Sequence, residues 1–145
     1  MLIYKRANLK LSSAPVPPML YILSDTVAII CKGFFKAVAW LLAATIVVLS
    51  LGPPTVRPAT GAAHDLEHLL IFLATGMAFG LGYPRRVWLL TIALPTFAAA
   101  IEVVQNWVPG RHARMSDFLV DAAASCFGVG LSYASLKLRA AVIRR

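Results

Sequence analysis

Charge is scarce in this chain. Aspartate, glutamate, lysine and arginine make up 14% of the 145 residues, only 6 of them acidic, while 59% are hydrophobic. A soluble fold would be left short of polar surface by such a balance, whereas a bilayer supplies the apolar solvent it needs. Cysteine is almost missing: Cys31 and Cys126 fall in different parts of the expected topology, which excludes a disulfide framework. There is no glycine-rich phosphate loop, no H-E-x-x-H and no serine or cysteine nucleophile beside a convincing base, so the usual nucleotide-binding and hydrolase signatures are absent. No internal repeat, low-complexity tract or second domain is visible.

Long apolar runs are what the sequence does have. A membrane helix needs about 20 mainly apolar residues to cross roughly 30 Å of hydrocarbon. Four runs approach that length: Ala37 to Leu51, extended backward by Phe34 and Phe35; Leu66 to Tyr83; Val87 to Val108; and Phe118 to Leu138. The first stops at Gly52-Pro53-Pro54, where proline removes backbone donors. The third carries Pro95 near its middle, a kink that membrane helices tolerate. The expected fold is therefore an all-α integral membrane bundle of four transmembrane helices, preceded by a short N-terminal interfacial segment.

Lysine and arginine set the orientation, because they are retained on the cytoplasmic side. Eleven of the 14 lie before the first run (Lys5, Arg6, Lys10, Lys32, Lys36), between the second and third (Arg85, Arg86) or after the fourth (Lys137, Arg139, Arg144, Arg145). Arg57, Arg111 and Arg114 fall on the other side. Both termini are thus expected in the cytoplasm. The net charge of +8 sits at helix ends, where topology and anionic lipid account for it, and nucleic acid is not an expected partner.

Three segments result: residues 1–33 cytoplasmic or interfacial, 34–138 the membrane domain, and 139–145 a basic cytoplasmic tail. Within the first, Ala14 to Pro18 holds three prolines, and the apolar stretch Met19 to Cys31 is short and interrupted by Asp25. That composition fits an interfacial helix better than a cleaved signal peptide. Met19 is an alternative start that would remove the proline segment.

With this topology drawn, the polar residues gather at one end. His64, His68 and His112, with Asp65, Glu67, Glu102, Asp117 and Asp121, fall at the non-cytoplasmic ends of the second, third and fourth runs or in the last loop. Spacings of three or four place Asp65 or His64 with His68, Glu102 with Gln105, and Asp117 with Asp121 on single helix faces. Asp121 and Glu102 lie about a turn inside the helix ends at about 1.5 Å per residue, where a charge facing lipid costs several kcal/mol. These side chains are expected to turn inward. Arg111 and Arg114, in a loop opened by Pro109-Gly110, are the cations placed to meet them. Gly76 and Gly80 form a G-x-x-x-G step, and Ala122, Ala123, Ala124, Ser125, Gly128 and Gly130 are small enough for close packing of the fourth helix.

The order His64-Asp65-Leu66-Glu67-His68, Glu102-x-x-Gln105, Pro109-Gly110-Arg111, Ser116-Asp117-x-x-x-Asp121 and Gly128 resembles the VanZ-like family of bacterial membrane proteins, over about Leu41 to Ser135. Three positions depart from that pattern. His64 and Asp65 stand where the family usually has an aspartate and a lysine ahead of the histidine matched by His68, and Asp121 stands where asparagine is common. The resemblance implies a multi-pass protein of the bacterial cytoplasmic membrane with a link to the cell envelope, the family's namesake being associated with resistance to the glycopeptide teicoplanin. It supplies no reaction.

Three readings of the polar cluster stay open. It is a buried network that pins helix ends together. Alternatively, Asp65, His68, Glu102, Gln105, Arg111, Asp117 and Asp121 bind an envelope component, such as a lipid-linked precursor or a glycopeptide, with Arg114, His112, Asn106 and Trp107 nearby. The third is a metal-dependent membrane enzyme acting on a lipid-linked or phosphorylated substrate, with His68, Glu102 and Asp117 as catalytic candidates and His64 and His68 as candidate metal ligands. The missing signatures weigh against catalysis, and neither a cofactor nor an oligomeric state can be read from the residues.

Overall fold

The structure is a computed structural model that describes residues 18–52, 64–109 and 114–143, without the side chains of 18–25 and 64–65. It is all-helical among these residues. The elements are α1 (Pro18–Leu51), α2 (His64–Gly82), α3 (Val87–Gln105) and α4 (Met115–Ile143).

Each helix ends where the sequence removes its reason to continue. Gly52 closes α1 with its N–H on the carbonyl of Val48 at 2.8 Å. Tyr83 does the same for α2 on Phe79 at 2.8 Å, and the Pro84-Arg85 turn brings the N–H of Arg86 back to Tyr83 at 2.9 Å. The carbonyl of Arg86 then accepts from Leu90, opening α3. This connection makes α2 and α3 antiparallel neighbours. Pro95 lies inside α3, as expected from the sequence.

The first helix begins well before the apolar run from Ala37. Pro18 to Leu51 is a single helix of 34 residues, with no break near residue 33. Lys32 and Lys36 interrupt the apolar run but not the helix, because long polar side chains can leave the apolar zone while the helix continues. Residues 1–17 of the expected N-terminal segment, and residues 144–145 of the basic tail, lie outside the described residues.

The closest helix contact joins α2 to α4 through residues without bulk. A side chain on Gly76 would collide with the backbone of Ser125, and one on Gly128 with the carbonyl of Leu73. At Gly80 an added Cβ would lie 2.6 Å from Cβ of Ser132. Ser132 Oγ, 2.9 Å from the carbonyl of Met77 on α2 and 3.0 Å from that of Gly128 on its own helix, adds a polar tie across the seam. Gly130, grouped with these by sequence, faces open space.

Two apolar layers fill the interior: Ala39, Ala43, Ala78, Phe79, Leu90, Leu94 and Val129 toward the α2–α3 turn, and Ile46, Phe72, Ala98, Ile101 and Ala124 toward the other end. Outside, the polarity is inverted relative to a water-soluble protein. Trp88 is 86% exposed, and Leu41, Ile92 and Phe127 are each more than 60% exposed, while Glu102, Asp117 and Asp121 are buried. Such a surface is stable in hydrocarbon. Three helices, over Thr26–Leu51, Val87–Gln105 and Met115–Val142, are long and apolar enough to cross a membrane. The apolar part of α2, Leu66–Gly82, is shorter; at about 1.5 Å per residue it reaches roughly 25 Å.

Candidate functional site

The buried polar groups collect at the end of the bundle where α2 and α4 begin and α3 finishes. The site is built from side chains on α2, α3 and α4 and the backbone at the start of α4. His68 lies one turn into α2, its ring stacked on that of Phe72 at 6.4 Å between centroids. Its Nδ1 is 3.1 Å from both Oδ1 and Oδ2 of Asp121 on α4. With the carboxylate ionised it only accepts, and Nδ1 is then the donor, shared between the two oxygens. Asp121 is 1% exposed, and the side chain of His68 is 12% exposed.

One turn nearer the end, Asp117 is also buried, with Oδ1 accepting from Ser116 Oγ at 3.0 Å. It stands in the first turn of α4, where the unpaired N–H groups favour an anion. His68, Asp117 and Asp121 each interact with further groups besides these.

Glu102 enters from α3. Its Oε2 accepts the backbone N–H of Arg114 at 3.0 Å, at the residue whose carbonyl begins the hydrogen bonding of α4. Its Oε1 is buried and has no hydrogen-bond partner among the described residues, although the whole residue is only 5% exposed. His68, Asp117 and Asp121 are close enough to Glu102 to act on its charge. Gln105, one turn further along α3, is buried on the same side.

The structure thus brings together His68, Glu102, Gln105, Asp117 and Asp121 from three helices. Asn106 and Trp107 are exposed and outside this interior group. The backbones of His64 and Asp65 begin α2, but their side chains, like Arg111 and His112 altogether, lie outside the described residues. Arg114 contributes differently from the sequence expectation: its amide, not a guanidinium salt bridge, holds Glu102. A side-chain pattern has no means of signalling a backbone donor. Among the described residues no three histidine, cysteine, aspartate or glutamate side chains are disposed to hold a metal ion.

Chemically, the arrangement offers an imidazole oriented by a carboxylate and a second carboxylate with one oxygen unsatisfied. Hydrogen bonds from His68 to Asp121 and from Arg114 to Glu102 also tie α2 to α4 and α3 to the start of α4. Comparison with protein-family models, with curated proteins and with solved structures finds no match to this chain.

Proposed function

We propose that this chain is a four-span protein of the bacterial cytoplasmic membrane, VanZ-like in its polar pattern. Both termini lie in the cytoplasm, and the cluster at the opposite helix ends binds an envelope component. The observation that carries this reading is Glu102 Oε1, a buried acceptor lacking a donor among the described residues. Leaving such a group unsatisfied costs about 1–3 kcal/mol, which a ligand donor would recover. Sugar hydroxyls and peptide amides of a lipid-linked precursor or a glycopeptide are donors of that kind. By sequence, the segment joining α3 to α4 also carries Arg111 and Arg114, cations of the kind that bind phosphate.

The basic residues at the far end support the orientation: Lys32, Lys36, Arg85, Arg86, Lys137 and Arg139 all belong to the side opposite the cluster. The shorter α2 crosses by local thinning of the bilayer around it.

Binding of teicoplanin and of a lipid-linked disaccharide peptide to the purified protein in detergent tests the assignment. Wild type is expected to bind one of them, and Glu102→Ala to bind it about tenfold more weakly or worse, the effect of about 1.4 kcal/mol. Absence of binding by wild type, or equal binding by the variant, sinks the reading.

A second reading is favoured by the His68–Asp121 geometry, since a carboxylate-oriented imidazole is suited to general acid–base work. Its sign would be phosphate release from a lipid-linked diphosphate by wild type and none by His68→Ala.

A further inference from the structure

A second feature lies at the opposite end of the molecule, between α1 and α3. There the helices leave a lateral cavity of about 380 Å³, walled by Trp40, Ala43, Phe79, Leu90, Ala93 and Leu94. The volume lies within the roughly 300–1,000 Å³ typical of ligand clefts. An apolar lining with so few polar atoms gives water little to bond to. Trp40 and Leu89 at its edge are exposed on the apolar exterior, so the cavity opens toward the lipid side of the bundle.

Its mouth is polar and positive. Tyr83 and Arg86 are part of the lining, and Lys36 Nζ stands 5.0 Å from the centre of the Tyr83 ring. The Tyr83 hydroxyl accepts the indole N–H of Trp40 at 3.1 Å. Its own proton has no acceptor among the described residues, leaving a donor on the rim that Arg86 also lines and Lys36 approaches. Gly82 lets Lys36 come close here, since an added Cβ at Gly82 would lie 3.1 Å from the Cγ and backbone N of Lys36. An aromatic ladder, Trp40 to Phe79 at 5.4 Å and Phe79 to Tyr83 at 6.0 Å, runs from the mouth into the cavity.

We propose that this groove is a specific site for an anionic phospholipid, one acyl chain lying against Phe79, Leu90 and Ala93 and the phosphate held by Lys36, Arg86 and the Tyr83 hydroxyl. Charge complementarity selects this occupant. A second copy docked about a two-fold axis would bring Lys36 and Arg86 toward their own equivalents, a like-charge contact. The juxtaposition of an apolar slot with paired cations and a phenol donor matches a molecule that is apolar along its length and anionic at one end. The site rests on the membrane reading but not on the polar cluster.

The test is native mass spectrometry of the full chain in mild detergent, with phosphatidylglycerol or phosphatidylcholine of identical acyl chains added. Each cation near a headgroup is worth about a five-fold preference, so wild type is expected to retain phosphatidylglycerol roughly 25-fold better. Lys36→Gln with Arg86→Gln should erase that preference while still retaining lipid. Ala93→Trp, which fills the slot, should release lipid of both kinds, with helical content by circular dichroism unchanged. Equal retention of the two lipids by wild type overturns the site, as does full retention by Ala93→Trp, or a dimer mass carrying no lipid. Carbonate extraction of cell membranes separates the two levels: a chain released into the soluble fraction overturns the membrane reading and the site together.

Discussion

His68 on α2 and Asp121 on α4, 53 residues apart in sequence, face each other so that one imidazole nitrogen is 3.1 Å from both oxygens of the carboxylate. The pair joins α2 to α4 just beyond the glycine seam. Its position makes it structural whatever else it does, because two polar groups that deep are stable only when they satisfy one another.

Removing one member should therefore cost more than removing both. His68→Ala is expected to destabilise the protein by about 1–3 kcal/mol, since a buried carboxylate loses a donor. His68→Leu combined with Asp121→Leu should restore most of that loss, as apolar replacement of a buried polar pair often does. Chemical unfolding in detergent, followed by circular dichroism, compares the variants; an additive loss in the double variant would contradict a coupled pair.

Glu102 should show the opposite trade between stability and binding. Glu102→Gln keeps an acceptor for the Arg114 N–H and removes a buried negative charge at the position where Oε1 lacks a donor. Unfolding should show it neutral or stabilised by about 1 kcal/mol, with ligand binding lost. Marked destabilisation would mean that the ionised carboxylate itself is required for folding.

The α2–α4 seam predicts a contrast between two glycines two positions apart. Gly128→Leu must force the helices apart and is expected to lower stability by about 1–3 kcal/mol or more. Gly130→Ala meets nothing, and replacing a mid-helix glycine there should raise stability by about 0.5–1 kcal/mol. Thermal melts of the two variants beside wild type check both signs.

Topology is tested by fusions. A fluorescent protein joined after Arg145 should glow, and alkaline phosphatase placed after Thr60 should be active, because these report cytoplasmic and exported positions respectively. The reverse pattern would put the polar cluster in the cytoplasm and end the envelope assignment.

The helices were legible in the sequence to within a few residues. Leu66 to Tyr83 became His64–Gly82, and Val87 to Val108 became Val87–Gln105, because an apolar run between charges and breakers is a local property. The start of α1 was not legible: Asp25, Lys32 and Lys36 break a hydropathy pattern without breaking a helix. The inward turn of Glu102, Asp117 and Asp121 was also foreseeable, from the cost of charge at that depth.

Helical spacing shows which residues share a face of one helix, but carries nothing about how that helix is rotated against its neighbours. Here the contacts of Gly76, Gly80 and Gly128 set the rotation of α2 and α4. From it follow the choice of Asp121 as partner of His68, the capture of Glu102 by a backbone amide, and its unsatisfied oxygen. The groove beside Trp40 and Tyr83 has the same origin. Hydropathy placed the chain in a bilayer through the summed preference of single residues, whereas the two candidate sites arise from distances between helices, which depend on close packing of the whole bundle.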